Sequence, residues 1–205
     1  MKARRSPAAW SGGWWRAARR CPSPNVGERP AGERPRLVVL HSISLPPGRC
    51  GGDAVERLFL NTLDCDRHPY FNGLRGLRVS AHFFVRRSGE VVQFAPTEAR
   101  AWHAGVSRWR GRDNCNDWSI GIELEGLEGL RFGARQYRVL KLLLRDILAA
   151  HPVDDIVGHE HVAPGRKTDP GAGFDWARVA RALRGSPVRV WPGAASSVDQ
   201  GRHYR

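Results

Sequence analysis

The sequence has 205 residues, which suits one folded domain with tails, and its hydrophobic fraction of 41% argues against a wholly disordered chain. The formal net charge of +13 favours anionic partners, but the charges are spread along the chain and define no nucleic-acid site, so we expect no nucleic-acid partner. No apolar run approaches the roughly 20 residues that span a bilayer, so we expect no membrane segment.

The two ends of the chain differ in composition from its middle. Residues 1–36 are rich in Arg, Pro, Gly and Ser, and we interpret them as a basic, partly ordered N-terminal arm whose Trp10, Trp14 and Trp15 can pack onto the domain. The first apolar residues are interrupted by Gly and Arg and make a poor secretory signal, which predicts a cytoplasmic protein. Residues 186–205 show no sustained periodicity and predict a flexible C-terminal tail. The folded domain is therefore expected over residues 37–185.

The first half of this domain carries patterns for a strand, a helix and a hairpin. Residues 36–41 form a short apolar run that is typical of a buried strand. Residues 53–61 begin with Asp, a helix N-cap type, and place apolar residues at helical spacing. Two runs, residues 82–87 and 90–94, flank the pair Ser88-Gly89, which predicts a β-hairpin.

Residues 118–125 alternate between apolar and polar positions, which indicates a strand. The pattern predicts an apolar face and a polar face, made respectively by Ile120, Ile122 and Leu124 and by Gly121, Glu123 and Glu125.

The second half of the domain is mainly helical. Residues 134–150 give the clearest helical pattern, residues 155–159 a short strand, and residues 174–183 a final amphipathic helix. Strands and helices mixed on this scale predict a single α+β or α/β domain with a central mixed β-sheet flanked by helices.

Three residues of metal-ligand type stand at the ends of predicted elements. His41 ends the first predicted strand, His159 ends the predicted strand over residues 155–159, and Asp169 precedes Pro-Gly. Catalytic zinc takes three such protein ligands and keeps one position for water. Structural histidines and a turn-forming Asp would give the same spacing, and His161 is an alternative ligand, so the residues alone leave the zinc site open. The four cysteines lack C-x-x-C spacing and indicate free thiols.

Three further residues can carry acid–base or electrostatic chemistry. Glu123 and Glu125 share the polar face of one strand, and either carboxylate could accept a proton from water in a cleft. Lys167 could stabilise an oxyanion. Surface carboxylates on a half-exposed strand and a solvated lysine are the alternatives.

Five ordered blocks of the chain resemble the AmpD family, the cytoplasmic anhydro-N-acetylmuramyl-L-alanine amidases of the amidase-2/peptidoglycan-recognition superfamily. The blocks cover roughly residues 35–185, and their order is more specific than any one of them. They are residues 41–48 (HSISLPPG), 78–82 (RVSAH), 101–105 (AWHAG), 115–126 (CNDWSIGIELEG), and 158–159 with 163–171 (GH, APGRKTDPG).

The resemblance implies a role for each matching position. His41, His159 and Asp169 match the family's zinc ligands, and His161 falls outside that pattern. Glu123, rather than Glu125, matches its catalytic carboxylate, and Lys167 matches the lysine that stabilises the transition state. The substrate-contacting positions are implied to include Arg78, Trp102 and Ser42. Ser42 is a departure, since the family often has Asn there.

By the same resemblance, residues 37–185 are expected to form a zinc amidase domain. It would cut the lactyl amide between anhydro-N-acetylmuramic acid and L-alanine of small soluble muropeptides during cell-wall recycling, with Zn²⁺ as cofactor and the protein as a monomer. Two alternatives within the superfamily stay open: an amidase that acts on intact peptidoglycan, and a recognition module without catalysis.

Overall fold

A mixed β-sheet is the centre of the molecule, described by a computed structural model over residues 9–192. The strands in chain order are β1 (Trp10–Ser11), β2 (Trp14–Trp15), β3 (Arg19–Arg20), β4 (Val26–Gly27), β5 (Leu37–Ile43), β6 (Phe83–Val85), β7 (Val91–Gln93), β8 (Arg100–Ala101), β9 (Arg108–Trp109), β10 (Arg112–Asp113), β11 (Ser119–Glu125), β12 (Asp155–Gly158) and β13 (Arg189–Val190).

The helices cover the sheet and connect its strands. They are α1 (Ala54–Phe59), α2 (Ala134–Ala150), α3 (His159–Val162), α4 (Trp176–Ala182) and three 3₁₀ segments, Cys65–Arg67, Pro69–Leu74 and Cys115–Asp117. The prediction for α2 is confirmed at both ends. Helix α1 ends two residues before the predicted position, and the Asp53 side chain pairs with Arg57 instead of capping the helix. Within residues 9–192, none of the helices has the length and apolarity to cross a bilayer.

Seven strands form the main sheet in the order β13-β12-β5-β11-β6-β7-β3. The central strand β11 is parallel to both of its neighbours, β5 and β6, and β12 runs parallel to β5. Strands β6 and β7 pair antiparallel, as the hairpin pattern predicts. The central mixed sheet of the sequence prediction is therefore confirmed.

The two faces of β11 pack differently. Its apolar side chains Ile120, Ile122 and Leu124 are fully buried in one core cluster with α2, as the alternation predicts. Glu123 and Glu125 on the other face are 8% and 4% exposed, so the alternative of surface carboxylates is wrong. A central strand of a seven-stranded sheet is covered on both faces, and a carboxylate on it must have partners or a function.

The N-terminal arm is tied to the domain over the part that the structure describes. Strand β3 adds to the edge of the sheet beside β7. Trp15 is buried in the main core, and its indole N–H donates to Asp146 Oδ2 at 2.8 Å. Trp10 is partly buried against the same core, and Trp14 lies beside the Arg20 guanidinium.

Arg29 fastens the middle of the arm. Its guanidinium donates to four backbone carbonyls, those of Thr97, Asn116, Asp117 and Ser119, at 2.8 to 3.2 Å. These bonds connect the arm to the 3₁₀ turn before β11, to the first residue of β11 and to the loop after β7. At the other end of the chain, β13 pairs with β12 within residues assigned by sequence to the C-terminal tail. The remaining tail residues, 193–205, and residues 1–8 of the arm lie outside the described part.

Candidate metal centre and active site

Neighbouring parallel strands bring the three candidate metal ligands together. His41 lies near the end of β5, and His159 follows directly after β12, the neighbour of β5 in the sheet. Asp169 lies in the loop after α3, and its carbonyl accepts from the Glu160 N–H at 2.9 Å, which holds the loop against α3. Because side chains at the same ends of parallel strands share one edge of a sheet, residues 118 positions apart become neighbours.

The ligand atoms face a common point. His41 Nδ1 lies 2.9 Å from His159 Nδ1, and each of these nitrogens lies 3.1 to 3.2 Å from the Asp169 carboxylate. A tetrahedral zinc with bonds of roughly 2.0–2.1 Å separates its donors by about 3.3 Å. All three residues are buried, and one donor atom from each lies within 4.8 Å of the others. Two neutral imidazoles and one carboxylate in this arrangement fit a catalytic zinc, which leaves a fourth position for water.

The protonation states of His41 and Asp169 also suit the binding of a cation. Burial lowers the pKa of His41 to about 4, and the neighbouring His159 adds to this effect, so His41 is neutral at pH 7. Burial acts to raise the pKa of Asp169, but the close contacts of its carboxylate with the His159 and His41 rings outweigh this effect and hold the pKa below its ordinary range. The site therefore combines a neutral His41 imidazole with an ionised Asp169 carboxylate, the forms in which these two side chains bind metal.

His161, the alternative ligand, is engaged elsewhere. Its Nδ1 accepts from the backbone N–H of Gly158 at 2.8 Å, and its ring lies tilted against that of Trp176. It is absent from the metal-competent group of residues 9–192. His159 therefore belongs to the metal-competent group, whereas His161 accepts a hydrogen bond from the backbone at the start of α3.

The far nitrogens of both histidines contact one loop. His41 Nε2 lies 2.9 Å from His103 Nδ1, and His159 Nε2 lies 3.0 Å from the Ala104 carbonyl oxygen. Sequence reasoning missed His103, although it lies in a block used for the resemblance. No pattern in the sequence indicates its role, because its contact with Gly121 on the polar face of β11 depends on the fold.

Glu123 lies on the same face of the sheet as His41. The two residues are register partners on the parallel strands β11 and β5. Burial and the charge of Asp169 raise the pKa of Glu123 well above its usual range, while Lys167 opposes this. Its Oε2 is buried and has no hydrogen-bond partner among residues 9–192. An unpaired buried carboxylate beside a metal-competent group is suited to take up and release a proton.

Glu125 has a different environment, although it shares the face of Glu123. Its two oxygens accept from the backbone N–H groups of Gly51, at 2.6 Å, and Arg87, at 2.8 Å. Arg86 lies 4.0 Å away. Glu125 therefore ties two loops to β11, and the structure separates the two carboxylates that the sequence left as alternatives.

Lys167 lies two residues before Asp169 in an exposed loop, and its backbone N–H donates to the Ala163 carbonyl at 3.0 Å. Its charge acts on the pKa values of both His41 and Glu123, which places the ammonium on the side of the candidate centre. The neighbouring Arg166 donates to the carbonyls of Ala104 and Val106, each at 2.6 Å. This loop is thus fastened to the segment that contacts the histidines.

The three predicted substrate-contacting residues are not all brought together. Trp102 is half-buried, and its backbone pairs with Ser80, two residues after the exposed Arg78. These two segments therefore adjoin. Ser42 is a register partner of Leu124, so strand alternation directs its side chain to the face of the sheet opposite His41.

Comparison with known proteins places these features in a family. The family model described as N-acetylmuramoyl-L-alanine amidase matches residues 31–172, which include all three candidate ligands and Glu123. The 1,6-anhydro-N-acetylmuramyl-L-alanine amidase AmpD of Salmonella typhimurium is 52% identical over 173 residues, which cover 83% of this chain and 92% of that protein.

Solved structures agree with this match. A crystal structure of a selenomethionine AmpD derivative superposes with a TM-score of 0.82 at 49% identity and covers 84% of this chain and 97% of that one. The Escherichia coli N-acetylmuramyl-L-alanine amidase AmiD, in complex with the substrate anhydro-N-acetylmuramic acid-L-Ala-D-γ-Glu-L-Lys, superposes with a TM-score of 0.55 at 28% identity. That match covers 83% of this chain and 68% of AmiD.

Proposed function

The chain belongs to the N-acetylmuramoyl-L-alanine amidase family, and on that premise we propose that it is a zinc-dependent 1,6-anhydro-N-acetylmuramyl-L-alanine amidase. One observation carries the proposal. His41, His159 and Asp169 converge on one point, and Glu123 stands beside His41 with an unpaired carboxylate oxygen. A recognition module without catalysis has no need of this buried carboxylate.

The metal would be held by His41, His159 and Asp169. Zinc, when bound, supplies a Lewis acid that polarises the scissile carbonyl and acidifies water. The chain's own residues hold these three donors in a buried site, where electrostatic interactions are stronger than in bulk water.

Glu123 acts as the general base and then as the general acid. Its carboxylate takes the proton of the attacking water as the new C–O bond forms at the lactyl carbonyl. The same side chain, buried and with one oxygen unpaired among residues 9–192, holds this proton until the tetrahedral intermediate collapses. The C–N bond then breaks, and Glu123 delivers the proton to the amine of L-alanine.

Lys167 stabilises the negative charge that develops on the carbonyl oxygen. An ammonium from a loop fastened to the site can approach this oxygen without disturbing the donors. Arg78 and Trp102 belong to adjoining segments and are proposed to contact the muropeptide, through a stem-peptide carboxylate and a sugar face respectively. Ser42 faces away from His41 and is the weakest member of the predicted substrate-contacting group.

The substrate class is supported by the named relatives. The Salmonella relative is named for the 1,6-anhydro sugar, and the AmiD complex contains an anhydromuramyl peptide. A small soluble muropeptide as the partner, a monomeric state and a cytoplasmic location complete the proposal. Gel filtration of the purified protein and fractionation of cells test the last two.

The deciding experiment combines metal analysis with product analysis. The purified chain is expected to bind one zinc and to release free L-alanyl peptide and anhydro-N-acetylmuramic acid from an anhydromuramyl peptide. Chelation should abolish release, and added zinc should restore it. Protein that binds the peptide without cutting it, with zinc present, would contradict the proposal and favour the recognition module.

A further inference from the structure

Two consecutive residues, His103 and Ala104, contact the outer nitrogens of the two candidate histidine ligands. The outer nitrogen is Nε2 in each case, because both Nδ1 atoms face Asp169. His103 Nδ1 lies 2.9 Å from His41 Nε2, and the Ala104 carbonyl oxygen lies 3.0 Å from His159 Nε2. One short segment therefore contacts, on each ligand ring, the nitrogen that faces away from Asp169.

The direction of each hydrogen bond follows from the groups involved. The Ala104 carbonyl can only accept, so His159 must carry its proton on Nε2, and its Nδ1 lone pair is free for a metal. If His41 also binds metal through Nδ1, its Nε2–H must donate to His103 Nδ1. His103 then carries its own proton on Nε2, which lies 3.2 Å from the Ser119 hydroxyl, an available acceptor. The whole chain of donors and acceptors is consistent with Nδ1 coordination by both ligands.

Buried contacts hold this segment in place. Asn116 Oδ1 accepts from the backbone N–H of both His103, at 3.1 Å, and Ala104, at 2.8 Å. The Asn116 residue is 6% exposed. The His103 ring occupies the space above Gly121, where an added Cβ would lie 2.4 Å from the ring. The segment is thus fixed by the turn before β11 and by a residue of β11 itself.

We propose that His103 is a positioning residue for His41, and that the His103–Ala104 segment, held by Asn116, sets both histidine ligands to bind metal through Nδ1. This inference rests on the proposed function, since it concerns the same zinc. His103 contacts the ligand His41 and is not one of the three donors of the metal-competent group of residues 9–192. It acts by accepting the hydrogen bond of the His41 Nε2–H group and so fixing the orientation of that ring, an effect that such outer hydrogen bonds have on metal ligands generally.

The test compares two substitutions at position 103. His103→Leu removes the acceptor, whereas His103→Asn keeps an acceptor oxygen near the position of Nδ1. We expect His103→Leu to weaken zinc binding about 10- to 100-fold, measured by competition with a chromophoric chelator, and His103→Asn to recover most of the loss. His151→Leu is the matched control, because His151 is partly buried and bonds to Thr97 instead of a ligand.

A second readout does not involve activity or affinity. Long-range ¹H–¹⁵N spectra of the zinc-loaded wild type should show His41 and His159 both protonated on Nε2, and His159 should show this form without zinc as well. An Nδ1-protonated His41 or His159 in the zinc form would overturn the inference. The inference also fails if His103→Leu binds zinc as tightly as the wild type. If the wild type binds no zinc, the proposed function itself fails, which is a distinguishable result.

Discussion

Glu123 and His41 lie side by side on the parallel strands β11 and β5, as register partners. The pairing fixes the distance between a buried carboxylate and a candidate ligand through backbone hydrogen bonds instead of a flexible loop. It also explains why Glu125, two residues along the same face, is not equivalent. Glu125 pairs with Ile43 and is bonded to two backbone N–H groups, so it has no free oxygen for a proton.

The first prediction concerns this pair of carboxylates. Glu123→Gln should keep the fold and the zinc but lose roughly 10²- to 10⁴-fold in kcat/KM, because the amide cannot accept the proton of water. Glu125→Gln is the matched control. It should turn over substrate normally but lose about 1–3 kcal/mol of unfolding free energy, because an amide replaces one accepting oxygen of a buried carboxylate. Reversed effects in steady-state kinetics and urea unfolding would show that Glu125 is the base.

The second prediction separates the two histidines of α3. His159→Ala should abolish zinc binding, because it removes one of three donors that lie within 4.8 Å of one another. His161→Ala should retain zinc and lose only stability, since the Gly158 N–H loses its acceptor. Zinc content after dialysis measures both. Full zinc occupancy in His159→Ala would remove this residue from the site.

Much of the sheet and its main helix could be predicted from periodicity. Strands β5 and β11 and helix α2 are long enough for their apolar residues to form a pattern, and the Ser-Gly pair indicates the β6–β7 hairpin. The two-residue strands of the arm and of residues 100–113 have no periodicity to detect. Their pairing depends on partners from distant segments, such as β7 for β3 and β8 for β4.

The candidate site, like the fold, could be predicted only in part from the sequence. The residues alone suggested His41, His159 and Asp169 but could not choose between Glu123 and Glu125, since both lie on one strand face. The choice depends on partners from distant segments, Gly51 and Arg87. His103 was missed for a related reason, because only the fold shows that this loop histidine lies against His41.

The third prediction uses the glycine beneath His103. Gly121→Ala should displace the His103 ring, since the new Cβ would lie 2.4 Å from it, and so weaken zinc binding. Gly126→Ala is the control for strain, because its Cβ would lie 2.6 Å from the Phe132 ring, away from the histidines. Both should cost about 1–3 kcal/mol of stability. Equal zinc affinities in the two variants would show that the space above Gly121 does not matter for the metal.

The fourth prediction concerns acid stability. Burial lowers the pKa of His82 to about 3, and the nearby Arg29 charge adds to this effect. In the unfolded chain the pKa is about 6.5, so the unfolded state takes up a proton that the folded state refuses. The stabilising effect is complete above pH 6.5 and is lost as the pH falls from there toward 3, by up to about 1.4 kcal/mol per unit.

His82→Asn should reduce this slope. The free energy of unfolding in urea, measured between pH 5 and 6 on chelator-treated protein, should fall less steeply by about one proton in the variant. The Asn oxygen can still accept from the Gly121 N–H that His82 Nδ1 binds at 3.0 Å, which favours a folded variant. An unchanged slope would show that His82 does not carry the effect.

The last prediction concerns the choice of substrate. The anhydro ring is a compact bicyclic end group, which intact glycan strands carry only at their termini. An enzyme for intact wall must accept muramic acid with sugars on both sides. We expect faster release from soluble anhydromuramyl peptide than from insoluble sacculi, with Trp102 contacting the sugar. The Trp102 side chain is half-buried, so part of its ring face is open to a sugar. Trp102→Ala should remove the ring face that contacts the sugar and raise KM, whereas Trp109→Ala, at another partly buried indole, should leave KM unchanged. Equal or faster release from sacculi would instead favour an amidase of the intact wall.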